Sequence, residues 1–134
     1  MELTIIIFLL GGLFLGWSLG ANDAANVFGT AVGTRMVQFK TAAIVCSIFV
    51  ILGAIISGSG TTETLGKLGS INALPGAFAA CIAAGLSVYI MTKSGLPVST
   101  TQAIVGAIIG WNLYTGSSTN IQVLITILGT WVLC

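Results

Sequence analysis

Apolar runs of roughly helical length, parted by short polar stretches, set the pattern of this chain. The first run is LTIIIFLLGGLFLGWSLG, residues 3–20, and weakly apolar sequence continues to Thr34. This first segment, 3–34, exceeds the roughly 20 residues that one membrane crossing needs. Its polar residues gather in the second half, in GANDAANVFGTAVG. A straight helix would hold that cluster near one interface, whereas a broken helix with a short second piece would hold it deeper. A broken first helix is the expectation. Gly12, Gly16 and Gly20 recur every four residues and predict one smooth face for close helix packing.

Arg35 and Lys40 mark a loop, and the second segment is TAAIVCSIFVILGAIISG, 41–58. A polar stretch, SGTTETLGKLGS, reads as the next loop. The third segment, 74–92, has Pro75 near its start, where a missing N–H costs little. In SGLPVSTTQAIVGAIIGWNLYTG the continuously apolar part, Ala103 to Trp111, is too short to span. Pro97 breaks the chain, and Ser99, Thr100 and Thr101 are natural N-caps for a helix beginning there. The fourth segment, 98–114, is thus predicted as a half-length or re-entrant helix entered through a buried, extended stretch. Backbone of that kind survives at membrane depth only inside protein or beside a watery cavity. A final segment, 121–134, is still apolar at Cys134, so the chain is expected to be part of a longer protein. The fold class is an all-α polytopic membrane protein.

Composition sharpens this. With 5% charged residues against the roughly 25% of soluble domains, and a mean hydropathy of +1.11, most of the surface must face lipid or other helices. A net charge of +1 without a basic patch predicts no nucleic-acid partner. Cys46, Cys81 and Cys134 lie in apolar runs without CxxC spacing and read as small hydrophobes. No basic region precedes the first run, so it reads as a membrane segment rather than a signal peptide. The positive-inside rule puts Arg35, Lys40 and Lys93 on the cytoplasmic side and the amino terminus outside.

Two stretches carry candidate chemistry. Asn22, Asp23 and Asn26 share adjoining parts of one helix face at spacings of three and four. A carboxylate with neutral oxygens is a good shell for a small hard cation, and an intramembrane carboxylate is costly unless a bound Na⁺ or a proton offsets its charge. At the other stretch, a helix beginning at Ser99–Thr101 presents free N–H groups, hydroxyls and a positive dipole end, an anion site without a fixed cation. Gln102 adds an amide. A cation site and an anion site together suggest coupled transport, since broken helices and mid-depth sites are the construction of secondary transporters. An ion channel is the alternative class. No Ser–His or Cys–His pair, HExxH or GxxxxGK[ST] is present, and neither an enzyme nor a cofactor is expected.

GANDAAN running into FGTAVGTR, residues 20–35, closely resembles the signature of the inorganic phosphate transporter family, the PiT-type symporters. GLPVSTTQAIVGAIIG, residues 95–110, is similar to that family's second hallmark. The resemblance implies an inverted-repeat transporter in the cell membrane that carries inorganic phosphate with Na⁺, or in some members with protons or as a metal–phosphate complex. It implies Na⁺ ligation by Asp23, Asn22 and Asn26, and phosphate binding by Ser99, Thr100 and Thr101, to which the Gln102 amide is added as a candidate on its own chemistry. Remaining ligands would come from a missing carboxy-terminal half or a second copy, and a homodimer is possible. The family commonly has histidine where this chain has Gln102. Glutamine does not titrate, which favours Na⁺ coupling, while a related oxyanion such as sulfate stays open as substrate.

Overall fold

The computed structural model describes residues 2–69 and 74–133, and they are all helical apart from their connections. The helices are α1 (Glu2–Gly33), α2 (Phe39–Leu68), α3 (Leu74–Lys93), α4 (Thr100–Thr115) and α5 (Ile121–Leu133). The first three are long and apolar enough to cross a membrane, and large aliphatic side chains along α1 and α2 lie exposed. In an aqueous protein that surface would drive aggregation; here lipid is its solvent. The chain is an all-helical polytopic membrane protein.

The expected break in α1 does not occur. Helix α1 runs unbroken for 32 residues, about 48 Å at 1.5 Å per residue. No proline interrupts it, and Asn22 satisfies its amide against other segments instead of competing for its own backbone. The length still permits depth: Asp23 lies ten residues before Gly33, about 15 Å. With the carboxy-terminal end of α1 at an interface, that is near the middle of a hydrocarbon layer roughly 30 Å thick.

Helix α2 also departs from the pattern. It continues ten residues beyond Gly58, through the stretch that reads as a loop, to Leu68. Thr62 and Thr64 donate to the carbonyls of Gly58 and Gly60, and Lys67 pairs with Glu63 one turn earlier. These local bonds satisfy the polar side chains within a helix. Leu68, fully buried among Ala80, Val105, Ile108 and Ile127, anchors the extension. Cys46 and Cys81 are free thiols. Cys134, and residues 70–73 that lead into α3, lie outside the described residues.

Helices α1 and α3 run parallel and form the main packing layer, with α4 antiparallel against α3. Three aromatic rings seated on glycines set their separation. Phe78 lies over Gly11, Phe14 over Gly85, and Trp111 over Gly76; a Cβ added at each glycine would meet ring atoms at 2.7–2.8 Å. Gly12, Gly16 and Gly20, the expected smooth face, have no such neighbour within 4 Å. Close approach requires a glycine and a ring at the same height, so a glycine repeat alone could not identify the face.

Two left-handed glycines shape the turns around α4. Gly95 (φ 71) ends α3, with the Leu96 N–H bonding back to Met91 O, and Gly116 (φ 69) ends α4, with the Ser117 N–H on Asn112 O. Beyond α4, the Asn120 side chain caps α5 through the Gln122 and Val123 N–H groups, while its own N–H donates to Leu68 O. Asn112, fully buried, donates to Thr119 Oγ1 and lies against Gly69. This corner joins the carboxy-terminal ends of α2 and α4 to the start of α5.

The ring contacts predict that Gly85→Val lowers unfolding stability by about 1–3 kcal/mol through overpacking against Phe14. Gly12→Ala, which adds a Cβ into open space inside α1, should leave it unchanged or raise it by up to about 1 kcal/mol. Denaturant unfolding of the two purified variants in detergent measures both.

Candidate functional site

The site begins where α3 stops. The Schellman turn at Gly95 reverses the chain, Pro97 forbids helix, and residues 96–99 lead into α4 outside any helix. Ser99 is the N-cap of α4, with extended φ −78 and ψ 115, and its Oγ accepts from the Gln102 N–H at 3.4 Å. That bond is long for a cap. The Ala103 N–H bonds to Ser99 O, while the Thr100 and Thr101 N–H groups find no acceptor among the described residues. A helix capped by Ser99 therefore forms as the sequence predicts, but its 16 residues, about 24 Å, exceed half a membrane crossing. The stretch leading in is not buried either: Gly95, Leu96 and Pro97 are exposed and Val98 is half-buried.

Asn22 ties this entrance to α1. Only 3% exposed, it donates through Nδ2 to Val98 O at 2.9 Å and to Asp23 Oδ1 at 3.0 Å. Its Oδ1 accepts from Thr92 Oγ1 at 3.2 Å. One amide thus touches the carboxylate of the first polar cluster and the carbonyl immediately before the hydroxyl cluster. Two stretches separated by 76 positions meet at one side chain.

The remaining candidates spread from that point. Asn26 joins Asn22, Thr92 and the 95–97 backbone around a shallow cavity of about 320 Å³. Asp23 and Asn26 are exposed on the described surface. Successive residues of a helix turn by about 100°, so the hydroxyl cluster cannot face one way. Thr101 faces a second cavity of about 260 Å³ with Thr61, Thr64 and Thr130, and Gln102 faces a groove between α3 and α4 with Ala83, Ser87 and Gly106. Ser99, at the cap, lies next to the carbonyl that Asn22 holds. The structure therefore brings the Asn22–Asp23–Asn26 cluster to the Ser99 end of α4, and turns Thr101 and Gln102 away from it.

Lys93 shares this level, its Nζ 5.9 Å from the centroid of the Tyr89 ring. Arg35 (φ 60) ends α1 about two to three turns farther along the same direction. Both cations sit at the carboxy-terminal ends of parallel helices, but at different heights. Among the described residues no group of three or more His, Cys, Asp or Glu side chains is assembled. Asp23 is the one carboxyl group of its cluster, and amide and backbone oxygens are its company. Thr92 and the Val98 carbonyl were not visible as site elements in the sequence. A single hydroxyl in the last turn of an apolar helix carries no motif, and a carbonyl carries no sequence signal at all.

The profile of the phosphate transporter family matches residues 19–134. A protein of Pyrococcus furiosus, named as a candidate phosphate permease, is 37% identical over 96% of this chain and 34% of its own length. A similarly named protein of Chlamydia trachomatis is 34% identical over 84% of the chain and 29% of its own length, and one of Mycobacterium tuberculosis is 38% identical over 74% and 20%. The chain thus spans about a third or less of the length of these relatives. No solved structure matches it significantly.

Asn22→Leu removes the amide donors and the acceptor of Thr92 while keeping the branched side-chain skeleton. It should destabilise the protein by about 1–3 kcal/mol, because Val98 O loses its partner at a half-buried position. It should also speed hydrogen exchange at residues 99–103. Amide exchange followed by mass spectrometry reads both changes.

Proposed function

Because the chain belongs to the phosphate transporter family, we propose that it is the amino-terminal part of a secondary transporter that moves inorganic phosphate across the cell membrane together with Na⁺. The observation that carries this reading is the Asn22 amide, which holds a lone carboxylate beside the free N–H end of α4.

In this reading Na⁺ binds at Asp23, with oxygens from Asn22 and Asn26. Asn22 Oδ1 already accepts from Thr92 but keeps a second lone pair. Phosphate binds at the start of α4, on the Thr100 and Thr101 N–H groups and the neighbouring hydroxyls, where the helix dipole favours an anion. Na⁺ at Asp23 lowers the cost of bringing that anion to membrane depth. By linkage, phosphate tightens Na⁺ in return. Asp23 and Asn26 face outward from this chain, and an intramembrane carboxylate belongs against protein or water. The remaining length of the protein, as an inverted second half or a second copy, then supplies that surface and the missing ligands. Alternating access follows as relative movement of the two parts around the site.

The full-length protein in proteoliposomes is the test. Phosphate uptake should depend on an inward Na⁺ gradient, and Asp23→Ala should reduce it at least about tenfold, the loss of roughly 1.4 kcal/mol or more of coupling. Uptake that ignores Na⁺ but follows a pH gradient would replace Na⁺ by a proton at Asp23. Sulfate displacing labelled phosphate at equal concentration would change the substrate. Single-channel currents in place of gradient-driven accumulation would make the protein a channel.

A further inference from the structure

We infer that Thr92 is a positioning residue that fixes the Asn22 amide, and through it the distance between the carboxylate at Asp23 and the anion-facing end of α4. The inference rests on the transporter reading above for its functional consequence, but on geometry alone for the contact.

A hydroxyl inside a helix ordinarily donates back to the carbonyl four residues earlier. Ser47, Thr62, Thr64, Ser87, Ser94 and Thr126 all do so here. Thr92, in the last turn of α3, does not. Its hydroxyl crosses to α1 and donates to Asn22 Oδ1 at 3.2 Å. The diversion has a consequence for an amide, whose two ends differ only in that one donates and the other accepts. Val98 O can only accept, and an ionised Asp23 can only accept, so Nδ2 must face both. With Thr92 donating to Oδ1, all three contacts favour the same rotamer.

The hydroxyl matters most when a cation arrives. Na⁺ at Asp23 draws Asp23 Oδ1 away from Nδ2 and attracts the Asn22 oxygen. An amide free to rotate would swing Oδ1 toward the ion and turn Nδ2 away from Val98 O. The chain entering α4 would then lose its tie to α1 at the moment phosphate must bind. Thr92 opposes that rotation by holding one lone pair of Oδ1, so that the oxygen meets the ion with its second lone pair while Nδ2 stays on Val98 O. It touches neither ion in this scheme; it keeps the Nδ2–Val98 bond in place while the cation site fills.

The test uses Thr92→Val, which keeps the shape and removes the hydroxyl, and Thr92→Ser, which restores it, both in the full-length protein. Hydrogen exchange at Gln102 and Ala103, whose N–H groups bond to Ser99, should accelerate about tenfold in Thr92→Val and return to the wild-type rate in Thr92→Ser. In Na⁺-driven uptake, Thr92→Val should raise KM for phosphate by a similar factor, with Vmax per correctly inserted molecule and half-saturating Na⁺ changed about twofold or less. Unaltered exchange in Thr92→Val would overturn the inference, as would a fall in Vmax at unchanged KM, or a defect that Thr92→Ser fails to rescue. A wild-type protein that takes up no phosphate would instead sink the transporter reading, and the exchange rates would still decide the role of Thr92.

Discussion

A single buried carboxamide, that of Asn22, holds the two chemically distinctive parts of this chain together. It lies at the contact of α1 with the end of α3, and its Nδ2 reaches both the neighbouring carboxylate and the carbonyl at the doorway of α4. An unpaired amide buried to this degree costs on the order of 1–3 kcal/mol, so its partners are constrained as strongly as it is. The turn at Gly95, the run through Pro97 and the capped start at Ser99 all serve to bring Val98 O to that amide. The polar groups of a membrane protein must find each other because hydrocarbon offers nothing else. Here that requirement assembles the site.

Local chemistry made part of this legible in the sequence. The bounds of α3 and α4 follow from Pro75, Pro97 and the Ser99 hydroxyl, all of which act within a turn of themselves. Membership in the transporter family was legible in the two motifs, and the family profile agrees. Non-local effects were hidden. The polar residues of 59–68 read as a loop, yet burial of Leu68 and back-bonding by Thr62 and Thr64 keep them helical. The first segment, longer than one span needs and polar in its second half, suggested a broken helix. It stays continuous, with the Asn22 amide bonded to Thr92 and Val98 on other segments. Gly12, Gly16 and Gly20 made a regular stripe, while the glycine that packs is Gly11, selected by the height of Phe78 on another helix.

The hydroxyl cluster shows the same limit from the other side. Ser99, Thr100, Thr101 and Gln102 are adjacent in sequence, so a reading by proximity groups them in one site. Helical rotation puts Thr101 and Gln102 on separate cavities, and only the cap residue Ser99 adjoins the Val98 carbonyl that Asn22 holds. Within this chain the start of α4 therefore offers the proposed anion chiefly its backbone N–H groups. Thr101 and Gln102 are left to face other helices.

The reciprocal seating of rings on glycines has a mechanical consequence. Phe78 of α3 sits on α1, Phe14 of α1 sits on α3, and Trp111 of α4 sits on α3. Sliding any of these helices by one residue would drive a ring into a side chain or a carbonyl, and packed interiors resist such compression. Helices α1, α3 and α4 therefore translate as one block, carrying Asp23 and Ser99 at constant separation. Movement of other parts of the protein relative to these helices is therefore made by surfaces sliding past that block, not by shear within it.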